Sequence, residues 1–79
     1  MEITLSKKAA KYIEKQDVKV REILKKAILL LPKGDVKPFY NHDLVTHRLR
    51  VGDFRVLFYY KESGGLHIDR VGSRGDIYK

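Results

Sequence analysis

The sequence predicts a compact α+β domain in which a mostly antiparallel sheet packs on an N-terminal helical hairpin. Two patterns carry this expectation. Between Ser6 and Pro32 the apolar residues recur at helical spacing, and from Val45 to Val71 they alternate with polar ones as strands require. A third observation is length, since 79 residues supply one core and a single domain, 1–79.

Glu2 to Leu5 alternates briefly, like a short strand, and Ser6 is placed to cap a first helix carrying Ala9, Ala10, Tyr12 and Ile13. Asp17 caps a second helix, whose apolar stripe of Val20, Ile23/Leu24, Ala27 and Leu30/Leu31 stops at Pro32. Residues 32–43, with Pro32, Gly34, Pro38, Asn41 and Asp43, carry turn chemistry and no sustained period. They read as a connector of about a dozen residues, long enough to suggest a functional loop. Two strands then flank the turn at Gly52-Asp53, and a third, Leu66 to Val71, follows Ser63-Gly64-Gly65. The expected order is strand, helix, helix and three strands.

A two-residue loop at Gly52-Asp53 dictates which residues oppose one another across the hairpin. Val51 faces Phe54, Arg50 faces Arg55, Leu49 faces Val56, Arg48 faces Leu57, His47 faces Phe58 and Thr46 faces Tyr59. One side then holds Val45, His47, Leu49, Val51, Phe54, Val56, Phe58 and Tyr60, a core face apart from the histidine. The other holds Thr46, Arg48, Arg50, Arg55, Leu57 and Tyr59. Like charges directly opposed destabilise a sheet, so either these arginines splay toward water or pair with Asp53 and Glu62, or they await a phosphate. Tyr59 offers a ring on which a base stacks.

Charge favours the second possibility. Lys and Arg number 17 against 10 Asp and Glu, a net +7, which draws phosphate-rich partners. All the arginines except Arg21 fall after residue 47, whereas Lys7, Lys8, Lys11, Lys15, Lys25 and Lys26 read as ordinary solvated lysines. The chain has no cysteine, hence no disulfide or thiolate metal site, which suits the cytoplasm. No basic, apolar leader opens it and no run approaches the ~20 apolar residues of a membrane span, so neither export nor membrane insertion is expected.

The segment Arg48-Leu-Arg-Val-Gly-Asp-Phe-Arg-Val-Leu-Phe-Tyr59, followed by Val71-Gly-Ser-Arg-Gly-Asp-Ile-Tyr78, resembles the RelE/ParE superfamily of toxins from toxin–antitoxin systems. The likeness spans essentially the whole chain. In the RelE branch the toxin enters the ribosomal A site and cuts mRNA, and the resemblance implies roles here. Arg55 matches the arginine that contacts the scissile phosphate. Arg48 stands where RelE has the second of two RNA-holding lysines, and Thr46 stands where it has the first, a departure that Arg50 partly offsets. Arg74 and the C-terminal Tyr78 match residues implicated in chemistry. Ser73 sits where some branches carry histidine.

The chemistry follows from the side chains as well. RNA carries its own nucleophile, the 2′-hydroxyl, so neither metal nor other cofactor is required. Cleavage needs a base, positive charge around the phosphorane and help for the 5′-alkoxide. Arg48, Arg50 and Arg55 suit the second task and Arg74 the third. Tyr78, with a reference pKa near ~10, becomes a base only where guanidinium charge favours the phenolate. His42, His47 and His67 are rivals. His47 falls on the core face by parity, and loop His42 is placed to touch substrate or ribosome.

Two function classes emerge. One is a ribosome-dependent, metal-independent endoribonuclease that blocks translation, since arginines without a strong neutral-pH base gain most from a partner that positions the RNA. The other is a ParE-type toxin that inhibits DNA gyrase, with a degenerate homologue that only binds antitoxin as a blander variant. A cognate antitoxin is expected for physical reasons too. Leu57 and Tyr59 place apolar surface within the basic face, which an acidic, amphipathic segment would cover.

Overall fold

A computed structural model describes the backbone of residues 2–41 and 44–73, and the side chains of the same residues apart from 39–41 and 44–45. The elements run β1 (Ile3–Leu5), α1 (Lys7–Lys15), α2 (Val18–Leu29), β2 (Asp35–Asn41), β3 (Leu44–Val51), β4 (Phe54–Tyr60) and β5 (Leu66–Ser73). They form a five-stranded sheet in the order β1-β5-β4-β3-β2, antiparallel except where β1 lies parallel to β5. The predicted α+β class and mostly antiparallel sheet are what the chain adopts.

Both helices start at the predicted caps. Ser6 Oγ accepts from the Ala9 amide at 3.1 Å and donates to the Asp69 carbonyl at 2.6 Å, so one hydroxyl caps α1 and ties it to β5. Asp17 Oδ1 accepts from the Val20 amide at 2.9 Å. The predicted stripe of α2 resolves to Leu24 and Leu31, with Val20 and Ala27 packed partly buried against the core and Ile28 added to it, while Ile23 and Leu30 face solvent. The apolar run Ala27 to Leu31 leaves several choices of face open, and contact with the sheet selects one. No described helix is long and apolar enough to cross a membrane.

The connector expected over residues 32–43 is instead largely strand. Residues Asp35–Asn41 form β2, paired antiparallel with β3 from Asp35↔Arg50 to Asn41↔Leu44. Pro38 argued against a strand because it donates no ladder hydrogen bond, but β2 is an edge, where the missing N–H faces no neighbour. Gly34, at φ +123°, sits just before it, and a Cβ there would come within 2.9 Å of Leu49 Cδ1.

The hairpin register is the predicted one, from His47↔Phe58 to Val51↔Phe54, with Gly52 at φ +58° in the turn. Ala9, Ile13, Leu24, Ile28 and Leu31 from the helical segments meet Leu49, Val56, Phe58, Leu66, Ile68 and Val71 of the sheet. Each large apolar side chain buried here contributes roughly 1.5–3 kcal/mol. Two expected positions differ. Tyr60, assigned to the core by parity, is 48% exposed at the end of β4. Leu57, expected as apolar surface, is only 6% exposed. It lies on the central strand with Arg48 and Arg70 opposite it on either side, and the alkyl stems of long basic residues cover such neighbours.

Candidate nucleic-acid interface

The helices cover one face of the sheet, and register decides what the other face carries. Across four strands two rows align: Lys37, Arg48, Leu57 and Arg70, and beside them Asp35, Arg50, Arg55 and Gly72. A bulge makes the first row possible. Leu57 pairs with Arg70 but Phe58 pairs with Ile68, so Asp69 is skipped and Arg70 is turned to the arginine side while Val71 returns to the core.

Charge balance across these rows was only partly foreseen. Arg48 Nη2 lies 4.0 Å from Asp35 Oδ1, and Asp35 also stands directly opposite Arg50 in the ladder. The carboxylate nearest Arg48 therefore comes from β2, not from Asp53 or Glu62. Sequence reasoning missed it because residues 32–43 read as loop, although the alternation of Asp35, Val36 and Lys37 was a signal. Arg48 keeps 16% of its side chain exposed and Arg50 is exposed.

Arg55 behaves differently. It is 4% exposed, and its Nη1 donates to the carbonyls of Gly52 and Phe54, each at 3.0 Å, while its Nε is buried without a partner. No carboxylate among the described residues pairs with it. A buried cation with an orphan donor, set opposite another arginine, is held at a cost to folding. In this conformation the guanidinium is folded back onto the hairpin.

Beyond the arginine rows, the same face carries Thr46 and an aromatic corner. Tyr59 is 39% exposed, and its ring lies 5.1 Å from that of His67, opposite it in the ladder. His67 Nδ1 is 2.8 Å from Thr4 Oγ1, which holds the imidazole orientation from β1. His47 occupies the core face as its parity predicted, stacked on Phe58 at 5.6 Å and edge-on to Tyr60 at 5.0 Å, with Nδ1 buried and without a partner. Thus Thr46, Arg48, Arg50, Arg55 and Tyr59 share one face. His42, Arg74 and Tyr78 lie outside the described residues. Among the described residues no three histidine or acidic side chains gather as metal ligands would.

The sequence matches no protein-family profile and no curated protein. Solved structures do match. The RelB–RelE antitoxin–toxin complex of Methanococcus jannaschii contains a chain with TM-score 0.72 and 22% identity, over 95% of this chain and 94% of that one. The archaeal RelE–RelB complex of Pyrococcus horikoshii OT3 gives 0.62 and 23%, covering 95% and 96%. The intact Escherichia coli RelBE toxin–antitoxin complex gives 0.55 and 17%, covering 90% and 93%. Chains of toxin–antitoxin complexes share this fold.

Proposed function

We propose that this chain is the toxin of a toxin–antitoxin pair and cuts mRNA in the ribosomal A site, acting in the cytoplasm as a single domain. The observation that carries the reading is the open sheet face. There Arg48, Arg50 and Arg70 flank the central strand beside an exposed Tyr59, on a fold shared with chains of RelE–RelB complexes. An arginine-lined surface with one stacking ring suits a single RNA strand.

On this reading the 2′-hydroxyl of the bound strand attacks the adjacent phosphate and expels the 5′-oxygen. Arg48 and Arg50 hold the backbone, and Arg55 leaves the Gly52 carbonyl to meet the phosphorane. The folding cost of keeping Arg55 buried opposite Arg50 supports a role beyond stability, since a phosphate would offset both the repulsion and the unpaired Nε. Tyr78, as the phenolate that neighbouring guanidinium charge favours, takes the 2′-hydroxyl proton, and Arg74 steadies the leaving 5′-oxygen until it gains a proton from water. The cognate antitoxin has a place to dock in the apolar groove of about 310 Å³ bounded by Ile3, Leu5, Ala10, Ile13, Ile28 and Leu29.

The inward-folded guanidinium of Arg55 favours a second reading, in which the fold serves binding alone, as a gyrase-inhibiting toxin or an antitoxin-binding homologue. Purified protein added to ribosomes programmed with a defined mRNA, beside free RNA and a gyrase supercoiling assay, separates them. Cleavage on the ribosome with free RNA intact is expected. Intact mRNA together with inhibited gyrase would replace the nuclease reading by the second.

A further inference from the structure

On the other flank of the sheet, α1 and the far end of β5 enclose a groove of about 380 Å³ lined by Lys8, Lys11, Lys15, Tyr12 and Arg70 and floored by Val71 and Gly72. We propose that this groove is a second RNA site, which holds the sugar–phosphate backbone without reading sequence. It adjoins the open face to which cleavage is assigned, with Arg70 and Gly72 common to both, and extends from there along α1. The choice of RNA as the source of phosphate rests on the function proposed above, and the phosphate chemistry rests on the groove itself.

The α1 lysines read one by one as solvated charges, and they stay exposed, but the fold sets them along one groove. Lys8, Lys11 and Lys15 are spaced i, i+3 and i+7, so they form one stripe that extends about 10 Å along the helix. The stripe is long enough to meet about two or three successive phosphates of one strand. Tyr12 shares that side of α1, whereas Ala9 and Ile13 face the core and Glu14 lines the apolar groove opposite. Among the described residues no carboxylate lines the basic groove.

On the β5 side the described residues leave the strand edge uncovered. β1 pairs with β5 only as far as Leu5↔Ile68, so from Asp69 onward no described strand lies along that edge. The bulge at Asp69 lies at the same place, and Gly72 brings no side chain to fill the floor. Local preferences run against this clustering. The first turn of α1 has no acidic residue and carries Lys7 and Lys8 at the positive end of the helix, and like charges at i+3 and i+4 repel. An acidic, amphipathic peptide would need separate apolar anchor pockets, whereas the apolar part of this groove is a single floor of Val71 beside Tyr12. Compact ammonium groups on flexible stems suit a backbone bound in any register.

The test is anisotropy of a labelled 2′-O-methyl RNA of about 12 nucleotides, which lacks the nucleophile and so reports binding whether or not the protein is a nuclease, titrated between about 50 and 200 mM salt. The variants are Lys8→Gln/Lys11→Gln/Lys15→Gln and, with the same net charge, Lys19→Gln/Lys25→Gln/Lys26→Gln on α2. The groove variant is expected to bind at least ~10-fold more weakly at the low-salt end, with a salt slope shallower by about 2, and the α2 variant to stay within about 3-fold of the parent. Lys11→Gln alone should remove about a third of that slope, and unchanged circular dichroism confirms folding. The proposal is overturned by equal losses in both triple variants, by no loss in the groove variant or by a parent that does not bind. It is also overturned if polyglutamate displaces the RNA as well as unlabelled RNA does, which would assign the groove to an acidic polypeptide.

Discussion

Replacing Arg55 by methionine keeps most of its volume and removes the guanidinium, and the structure sets the terms of the balance. Lost are the two bonds from Nη1 to the Gly52 and Phe54 carbonyls, and bonds of this charged kind contribute roughly 1.5–3 kcal/mol each. Both carbonyls belong to the hairpin end, and Gly52 is exposed, so water recovers part of this. Removed at the same time are a buried Nε without a partner, at about 1–3 kcal/mol, and the repulsion from Arg50 directly opposite, at about 0.2–1 kcal/mol. The desolvation of a 4% exposed cation with no described carboxylate beside it, several kcal/mol per ion, is relieved as well and tips the balance. The sum favours the variant by about 1 kcal/mol, which raises Tm by about 4–8 °C in a domain of this size. Arg50→Gln should change stability by less than about 0.5 kcal/mol, because the residue is exposed and trades its repulsion from Arg55 against its attraction to Asp35. Thermal and urea unfolding at low salt measure both. A clear fall in Tm for Arg55→Met would refute the reasoning and make the arginine a structural element of the hairpin.

His47→Phe should stabilise the protein by about 1 kcal/mol in urea unfolding, because the ring stack on Phe58 survives while a buried, unpartnered Nδ1 disappears; destabilisation would mean that this nitrogen has a partner in solution. Asp17→Ala should cost about 1 kcal/mol as a lost helix cap, and Ser6→Ala more, since its hydroxyl also holds the Asp69 carbonyl; equal losses would count against that tie between α1 and β5. On the proposed function, Tyr78→Phe should slow single-turnover cleavage on saturated ribosomes at least ~10²-fold with ribosome binding intact, and a rate within a few-fold of the parent would remove Tyr78 from the chemistry.

Local rules explain why some elements were legible in advance. Ser6 and Asp17 announce helix starts because their side chains are the capping acceptors, and Gly52-Asp53 announces a two-residue turn whose length admits one register. From that register alone Arg50 stands opposite Arg55 and the arginines share a face. β2 escaped because Pro38 and Gly34 speak locally for a turn, and only an edge position, invisible in one chain segment, makes a proline compatible with a strand.

What the sequence by itself determined was therefore the set of contacts that depend on near neighbours: helix caps, hairpin register, strand parity and the α+β class. What the tertiary structure decided depends on residues far apart in the chain. β1 comes to lie beside β5, a bulge at Asp69 turns Arg70 to the arginine face, and α1 sets Lys8, Lys11 and Lys15 against the end of β5. Pattern and propensity act within a few residues, whereas the burial of Arg55 and Leu57 is set by side chains that reach across strands, and no local period encodes those.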